Sequence, residues 1–295
     1  MKRLLRLILK GGLGNQLFQY FAGVELSNLH QRQLVVDTSW FSRNVHSNGL
    51  LDPRGYLLSQ YEFSKKLHLE SEMNWKNSPR TERTMKYLPK MVSHSLGFYD
   101  EMAREDHQCL IQREITVFGH WVMKPILPSR EHLRLVLIDG IDNPSQNYLL
   151  LSAILGKRKV ISIHHRLGDY KNFSDSYGVL GELYFTKAIE KLERQLNLKD
   201  SEVWLFSDEP ELSLKLLSPR IDISKVITKE YNMNEAETIA LISKSSGIVC
   251  SNSTFSWWAA FLSVEAKTSV VFPKFYMKNV LTRNTGLYLG GWEYL

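Results

Sequence analysis

Apolar and polar positions along this chain fall into blocks of strand and helix length. Leu4–Leu9 is an apolar run of strand length, followed by the turn Gly11-Gly12-Leu13-Gly14. From Asn15 to Leu29 the apolar residues Leu17, Phe18, Phe21, Ala22, Leu26 and Leu29 recur at helical spacing, and Leu34–Asp37 reads as a second strand. Strand, glycine turn, helix and strand together open a βαβ unit. Residues 40–110 are weakly periodic, with some pattern around Tyr61–Leu69, and Asn74–Lys90 reads as an irregular connection. Order resumes at Val117–Trp121 and Leu133–Ile138. Asp139–Asn147 is rich in turn formers and marks the predicted domain boundary, with a short helix following to Leu155.

The second half alternates regularly. Strands are predicted at Val160–His164, Val203–Phe206, Val226–Ile227, Ile248–Ser251 and, as the last, Ser269–Phe272. Between them the spacing predicts helices over Glu182–Leu196, Pro210–Leu217, Glu235–Ser245 and Phe255–Glu265. Such alternation predicts a doubly wound parallel sheet. The expected architecture is α/β, with two Rossmann-like domains, 1–145 and 146–295, facing a central cleft. Ligands of such sheets bind beyond the carboxyl ends of the strands, so the residues just after each strand are the informative ones.

A chain of 295 residues suits two domains at roughly 100–200 residues each. Its 43% hydrophobic and 23% charged residues exclude a disordered or collagen-like chain. The two cysteines, Cys109 and Cys250, are too few and too far apart for a disulfide framework or a cysteine-based zinc site. No apolar run approaches the roughly 20 residues of a membrane span. Arg6 interrupts the amino-terminal apolar stretch and no small-residue cleavage site follows, so this segment reads as a strand and not a signal peptide. The net charge of +6 suits an anionic small molecule or membrane surface, and equally a lysine-rich solvated exterior.

Three strand ends carry candidate chemistry. Gly12, Gly14 and Asn15 sit between a strand and a helix start, where glycines admit a ligand to the backbone and helix N–H groups favour an anion. A dinucleotide fingerprint would need a third glycine where Leu17 stands, although Asp37 lies near the spacing of a ribose-binding acid. A plain tight turn is the simpler account of that loop. After the Val160–His164 strand, Arg166 offers a fork of donors suited to phosphate oxygens, His164 could meet a ribose or base, and Asp169 could orient Arg166 or act as a base. A structural Arg–Asp pair fits this loop equally well. Ser251-Asn252-Ser253-Thr254-Phe255 opens a helix with good capping residues, whose N–H groups can turn to a phosphate. The P-loop, the G-x-S-x-G elbow and D-x-D are all absent. A diphosphate held here would be neutralised by arginine and backbone N–H groups.

The segments GGLGNQLFQYFAG, HHRLGDY and SNSTFSWWAAFL, in this order, resemble the three signatures of glycosyltransferase family 11, the α-1,2-fucosyltransferases. Lesser matches are Gly119-His120-Trp121, Tyr184–Ile189, Phe206-Ser207-Asp208 and Pro273. The resemblance implies a GT-B-like fold, GDP-fucose as donor, no metal or cofactor, and inversion at the anomeric carbon. It also implies transfer to the 2-hydroxyl of a β-galactoside, an oligosaccharide or lipid-linked glycan. The carry-over places Arg166 on the donor β-phosphate, with His164 and Asp169 completing its motif, and Asn15 near the sugar or diphosphate. Ser253, Thr254 and Phe255, with Asn252 beside them, are placed around phosphate and nucleoside, and Asp208 on guanine. Two positions depart from the pattern: Leu167 stands where a second arginine is usual, and Val122 where a polar residue is. The resemblance further implies a bacterial cytoplasmic protein with no nucleic-acid partner, compatible with peripheral contact at the inner membrane. Two other readings stay open on the residues alone. One is a nicotinamide-dependent oxidoreductase using Gly12, Gly14 and Asp37. The other is a non-catalytic sugar-nucleotide or glycan-binding protein.

Overall fold

The computed structural model describes residues 3–44, 55–72, 74–100, 112–168, 178–196, 201–263 and 268–295. It divides into two units, Met1–Ser129 and Arg130–Leu295, each built on one parallel sheet.

The first unit contains strands β1 (Leu4–Ile8), β2 (Gln33–Asp37), β3 (Leu69–Glu70), β4 (Phe98–Tyr99) and β5 (Glu114–Val117). Its helices are α1 (Leu13–Leu29), α2 (Ser39–Asn44), α3 (Pro79–Tyr87) and α4 (Lys90–Ser95). The sheet order is β3-β2-β1-β5-β4, with Leu7 in register with Val36 on one side and Val117 on the other. A central parallel strand is covered on both faces, which explains the continuous apolar run of β1. Helix α1 lies close against it: a β-carbon on Gly23 would stand 2.8 Å from a Leu7 methyl. Arg6, the one charge in that run, is buried and held by Asp37 at 3.3 Å, Glu70 at 2.5 Å and Glu114 at 2.9 Å. The stretch expected to be irregular, 74–90, holds α3, started by Ser78, whose hydroxyl accepts the Thr81 N–H at 3.1 Å, and by proline at the first helical position. Its polar, basic surface hides the helical period.

The second unit contains α5 (Arg130–Arg134), which runs on into a π-helical turn over Leu135–Asp139, and α6 (Gln146–Leu155). There follow β6 (Val160–His165), α7 (Glu182–Leu196), β7 (Glu202–Ser207), α8 (Pro210–Leu217), β8 (Lys225–Ile227), α9 (Glu235–Ile242), β9 (Gly247–Val249) and α10 (Thr254–Phe261). After β10 (Ser269–Phe272) come β11 (Phe275–Met277), β12 (Val280–Leu281) and β13 (Glu293–Tyr294), so β10 is not the last strand as expected. These late strands have two or three residues, too short to show a period of two. The sheet order is β13-β10-β9-β6-β7-β8, all parallel. On one face Ile161, Ile163, Val203, Leu205 and Val249 are buried together with Phe185, Ala188 and Leu192 of α7. Trp257 of α10 is also buried, stacked on Phe261 at 4.5 Å, and its indole N–H donates to the Leu287 carbonyl at 2.9 Å.

The division falls at Ser129/Arg130 and not at 145/146, because the segment between is tied into the second unit. The Arg130 guanidinium donates to the Ser263 carbonyl at 2.9 Å and hydroxyl at 2.8 Å, and the Ser145 N–H donates to Glu237. Turn-rich composition marked a loop within a unit.

Candidate active site

In the second sheet the chain leaves β6, adds β7 and β8 on one side, then returns to place β9 on the other side of β6. The reversal falls between β6 and β9, and the region beyond the carboxyl ends of such strands is where α/β sheets bind ligands. Three sequence candidates meet there: the residues ending β6, Asp208 after β7, and the loop between β9 and α10.

Arg166 follows β6 directly and is fixed from both ends. Its Nη1 stands 2.8 Å from one carboxylate oxygen of Asp208, and its own N–H donates to the Ser251 hydroxyl at 2.9 Å. The other Asp208 oxygen accepts the Leu167 N–H at 3.0 Å. The Ser251 hydroxyl donates in turn to the His164 carbonyl at 2.7 Å. The Arg166 and Asp208 side chains are 14% and 18% exposed, enough for a ligand to reach the cation. Asp208 thus stands between the Arg166 guanidinium and the Leu167 N–H, where it can orient Arg166. Asp169, expected to do this or to act as base, lies outside the described residues.

His164 is buried. Its Nδ1 is 2.5 Å from the Ser256 hydroxyl and its ring stacks on Phe255 at 4.9 Å. Burial outweighs the Asp208 charge, and together with Arg166 and His165 it pushes the His164 pKa down to about 3. A neutral imidazole so placed braces the strand end against α10. His165 points to the opposite face, 1% exposed and 4.6 Å from the Phe185 ring, as alternate strand residues must. Desolvation holds its pKa down at about 4 against the nearby Leu180 backbone and Asp208. It is a core residue and not an accessible base.

Helix α10 begins with Ser253 as cap, its hydroxyl accepting the Phe255 N–H at 3.2 Å, and no acid occupies the first turn. Thr254 and Phe255 are half-exposed at this positive helix end. Asn252 is 3% exposed and its amide donates to the Gly178 and Tyr276 carbonyls, both at 3.2 Å, so it anchors the loop. Ser251 and Ser256 are given no site role by the sequence, yet they join His164, Arg166 and α10. Their signal was the density of serines in 251–256. Tyr184 contributes from α7, its hydroxyl donating to the Cys250 carbonyl at 2.8 Å. Leu167 is 1% exposed, so position 167 feeds the core, where an arginine would be costly.

The glycine turn of the first unit sits at the corresponding reversal, where β1 lies between β2 and β5. Gly11 has φ +80°, and a β-carbon there would come within 2.9 Å of the Asn15 amide nitrogen. The Gly12 carbonyl accepts the N–H groups of Asn15 and Gln16, both at 3.0 Å, and α1 starts with neither a side-chain cap nor an acid in its first turn. Gln16 braces the turn through the Gly11 carbonyl at 2.8 Å and the Gly55 carbonyl at 2.9 Å. Gly14 is buried inside α1 and Asn15 is half-buried at its entrance. After β5, Gly119 at φ +105° and Trp121 at φ +59° turn the chain sharply. Trp121 is 1% exposed, and its indole N–H has no partner among the described residues. Between them His120 is reachable by solvent yet set among protein. Desolvation, then Lys10, lower its pKa to about 4, with Lys86 adding to this and Glu82 opposing it. Val122 is buried as well.

Asp37 is fully buried. Besides Arg6 it accepts the Ser39 N–H at 3.0 Å and the Asn77 amide at 2.7 Å. No oxygen of it is turned to a ribose, which removes the basis of the nicotinamide reading.

A family model described as glycosyl transferase family 11 matches residues 96–295. The chain belongs to glycosyl transferase family 11. Two curated relatives, both from Escherichia coli, cover almost its full length. The "O-antigen biosynthesis glycosyltransferase WbnK" is 26% identical over 290 residues, 90% of this chain and 92% of that one. The "Alpha-1,2-colitosyltransferase" is 26% identical over 261 residues, 86% of each. Among solved structures, the fucosyltransferase NodZ from Bradyrhizobium matches with a TM-score of 0.55 at 13% identity, covering 88% of this chain and 92% of that one. Further NodZ crystals were soaked with GDP-fucose or grown with GDP. The fold of this family 11 glycosyltransferase is accordingly GT-B-like, as the signature segments implied.

Proposed function

We propose that this glycosyltransferase moves L-fucose from GDP-β-L-fucose to the 2-hydroxyl of a β-galactoside, with inversion and without a metal. The observation that carries the reading is Arg166, oriented by Asp208 and Ser251 beside the amino end of α10. As the bond from fucose to the β-phosphate breaks, negative charge grows on the leaving GDP. A fixed guanidinium and helix N–H groups aimed at that charge stabilise the transition state more than the ground state. The sugar passes through an oxocarbenium-like state, and the acceptor hydroxyl attacks from the face opposite GDP. The names of NodZ bound to GDP and of the colitosyltransferase, which forms a 1,2 linkage, support the donor and the linkage for this chain. Asp169, from the same motif as Arg166, is the proposed acceptor of the hydroxyl proton. The uncapped start of α1 at Gly12, Gly14 and Asn15 is assigned to the sugar nucleotide.

The deciding experiment is calorimetric titration with GDP in EDTA, with UDP and NAD as controls. It is followed by incubation with GDP-fucose or GDP-colitose and lactose, and the linkage is read by NMR. Selective GDP binding and a 1,2-linked fucosyl product are expected. Transfer from GDP-colitose alone, another linkage, or no GDP binding would each overturn the assignment. GDP binding without turnover of either donor on any galactoside would favour the non-catalytic reading.

A further inference from the structure

Helix α3 of the first unit has two unlike faces. Inward, Met85 rests on the buried cluster of Ile8, Phe98 and Phe118, and Glu82 pairs with Lys10. Outward, Arg80, Arg83, Thr84 and Tyr87 follow i, i+3, i+4 and i+7, one side of a helix, and all are exposed. Neither Arg80 nor Arg83 makes an ion pair among the described residues, and Tyr87 is 78% exposed. The same segment carries further exposed apolar groups. Trp75, 64% exposed, sits edge-on to Phe98 with ring centres 6.1 Å apart, and Lys76 Nζ lies 5.8 Å from its centroid. Val92 of α4 is 39% exposed, and Leu96, just after α4, is 52% exposed.

Scattered apolar residues on a surface need no account, but here two aromatics and two aliphatics fall within residues 75–96, beside two arginines that have no ion pair among the described residues. Basic side chains with aromatic and aliphatic neighbours are the composition of an element that lies in a bilayer interface. Arginines meet phosphate headgroups, and Trp and Tyr sit at headgroup level. No helix among the described residues is long and apolar enough to cross a membrane, so any lipid contact of these residues would be of this lying-on kind. We propose that the outer face of α3, with Trp75 and α4, docks this protein onto an anionic lipid bilayer. The proposal does not depend on which sugar or acceptor the enzyme uses.

The test is flotation of the full chain with phosphatidylcholine vesicles, with and without phosphatidylglycerol, across a salt series. Binding only to the anionic vesicles, weakening as salt rises, is expected. The pair Arg80→Glu and Arg83→Glu should lower partition at least tenfold. Tyr87→Ser should lower it a few-fold. Both variants should keep the wild-type melting temperature and GDP affinity. Equal binding to neutral vesicles, or full binding by the charge-reversed variant, would overturn the proposal. So would loss of the outer face's exposure through self-association, seen as a dimer by light scattering that Tyr87→Ser dissolves. Preference for nucleic acid over anionic vesicles at equal salt would assign the arginines elsewhere and also overturn it. If the charge-reversed chain fails to fold, the wild-type salt series and Tyr87→Ser still decide.

Discussion

Replacing Asp208 by asparagine tests the proposed construction of the site at one atom. The carboxylate holds Arg166 with one oxygen at 2.8 Å and the Leu167 N–H with the other at 3.0 Å. An amide cannot do both, because one of its two ends is a donor and faces either the guanidinium or the N–H. Breaking a fully buried pair by removing one partner costs about 3–5 kcal/mol. With 14% and 18% of the two side chains exposed, solvent screens part of this, and about 2 kcal/mol is the expected loss of arginine positioning. Felt in the transition state, that is about a 30-fold fall in kcat. Arg166→Ala should cost about 100- to 1,000-fold, the usual effect of deleting one stabilising donor. If Asp208 acts through Arg166, adding Asp208→Asn to Arg166→Ala should change little further. The assay is steady-state transfer from GDP-fucose, with GDP affinity by calorimetry and thermal melts on all four proteins. An Asp208→Asn enzyme within twofold of wild type would refute the reasoning, as would an undiminished Asp208→Asn effect in the Arg166→Ala background.

The buried histidines make stability fall with acid. Their folded pKa values lie near 3 for His164 and 4 for His165, below the ordinary 6.5, so the unfolded chain takes up protons first as pH drops through 6.5. Each contributes up to about 1.4 kcal/mol per pH unit of lost stability between 6.5 and its folded value, so His165→Phe should remove up to about that much from the slope of urea-melt stability against pH over pH 6 to 4.5. Ser253→Ala removes the cap of α10 and should lower stability by about 1 kcal/mol, whereas Ser253→Gly should cost a few tenths, both read in chemical melts. Asp37→Ala strips a buried partner from Arg6, Ser39 and Asn77 and should destabilise the protein by about 3 kcal/mol, with no NAD binding by either form in titration. EDTA should leave the transfer rate unchanged, since the diphosphate charge is assigned to Arg166 and helix N–H groups. Loss of activity restored by added Mg²⁺ would contradict that assignment.

The alternation of the second unit was legible because its strands and helices are long enough to display their periods, and α7 falls on Glu182–Leu196 as expected. Helix α1 begins two residues before the expected Asn15, because Gly14 reads as part of the glycine turn and yet lies inside the helix. Helices α3 and α4 and strands β3 and β4 were missed. The strands span two residues each, and α3 buries little more than Met85. Arg6 interrupts the apolar run of a strand that the sequence predicts, and only the fold brings Glu70 and Glu114 to it. At the site, residue types and strand-end positions located Arg166 and Ser253, and the family resemblance added Asp208. Their division of labour was not legible. That Asp208 orients Arg166 depends on β7 lying beside β6, a neighbourhood fixed by strand order and not by spacing in the sequence.

The Ser251 hydroxyl accepts from the Arg166 N–H and donates to the His164 carbonyl, while its own N–H donates to the Ser256 hydroxyl, which also holds the His164 ring. One residue of the β9–α10 loop thereby sets the backbone that carries the arginine. Attempts to engineer donor choice will therefore meet strong epistasis: substitutions in 251–256 will displace Arg166 even when aimed elsewhere. Libraries that vary 164–166 and 251–256 together should yield functional variants that one-site-at-a-time walks miss.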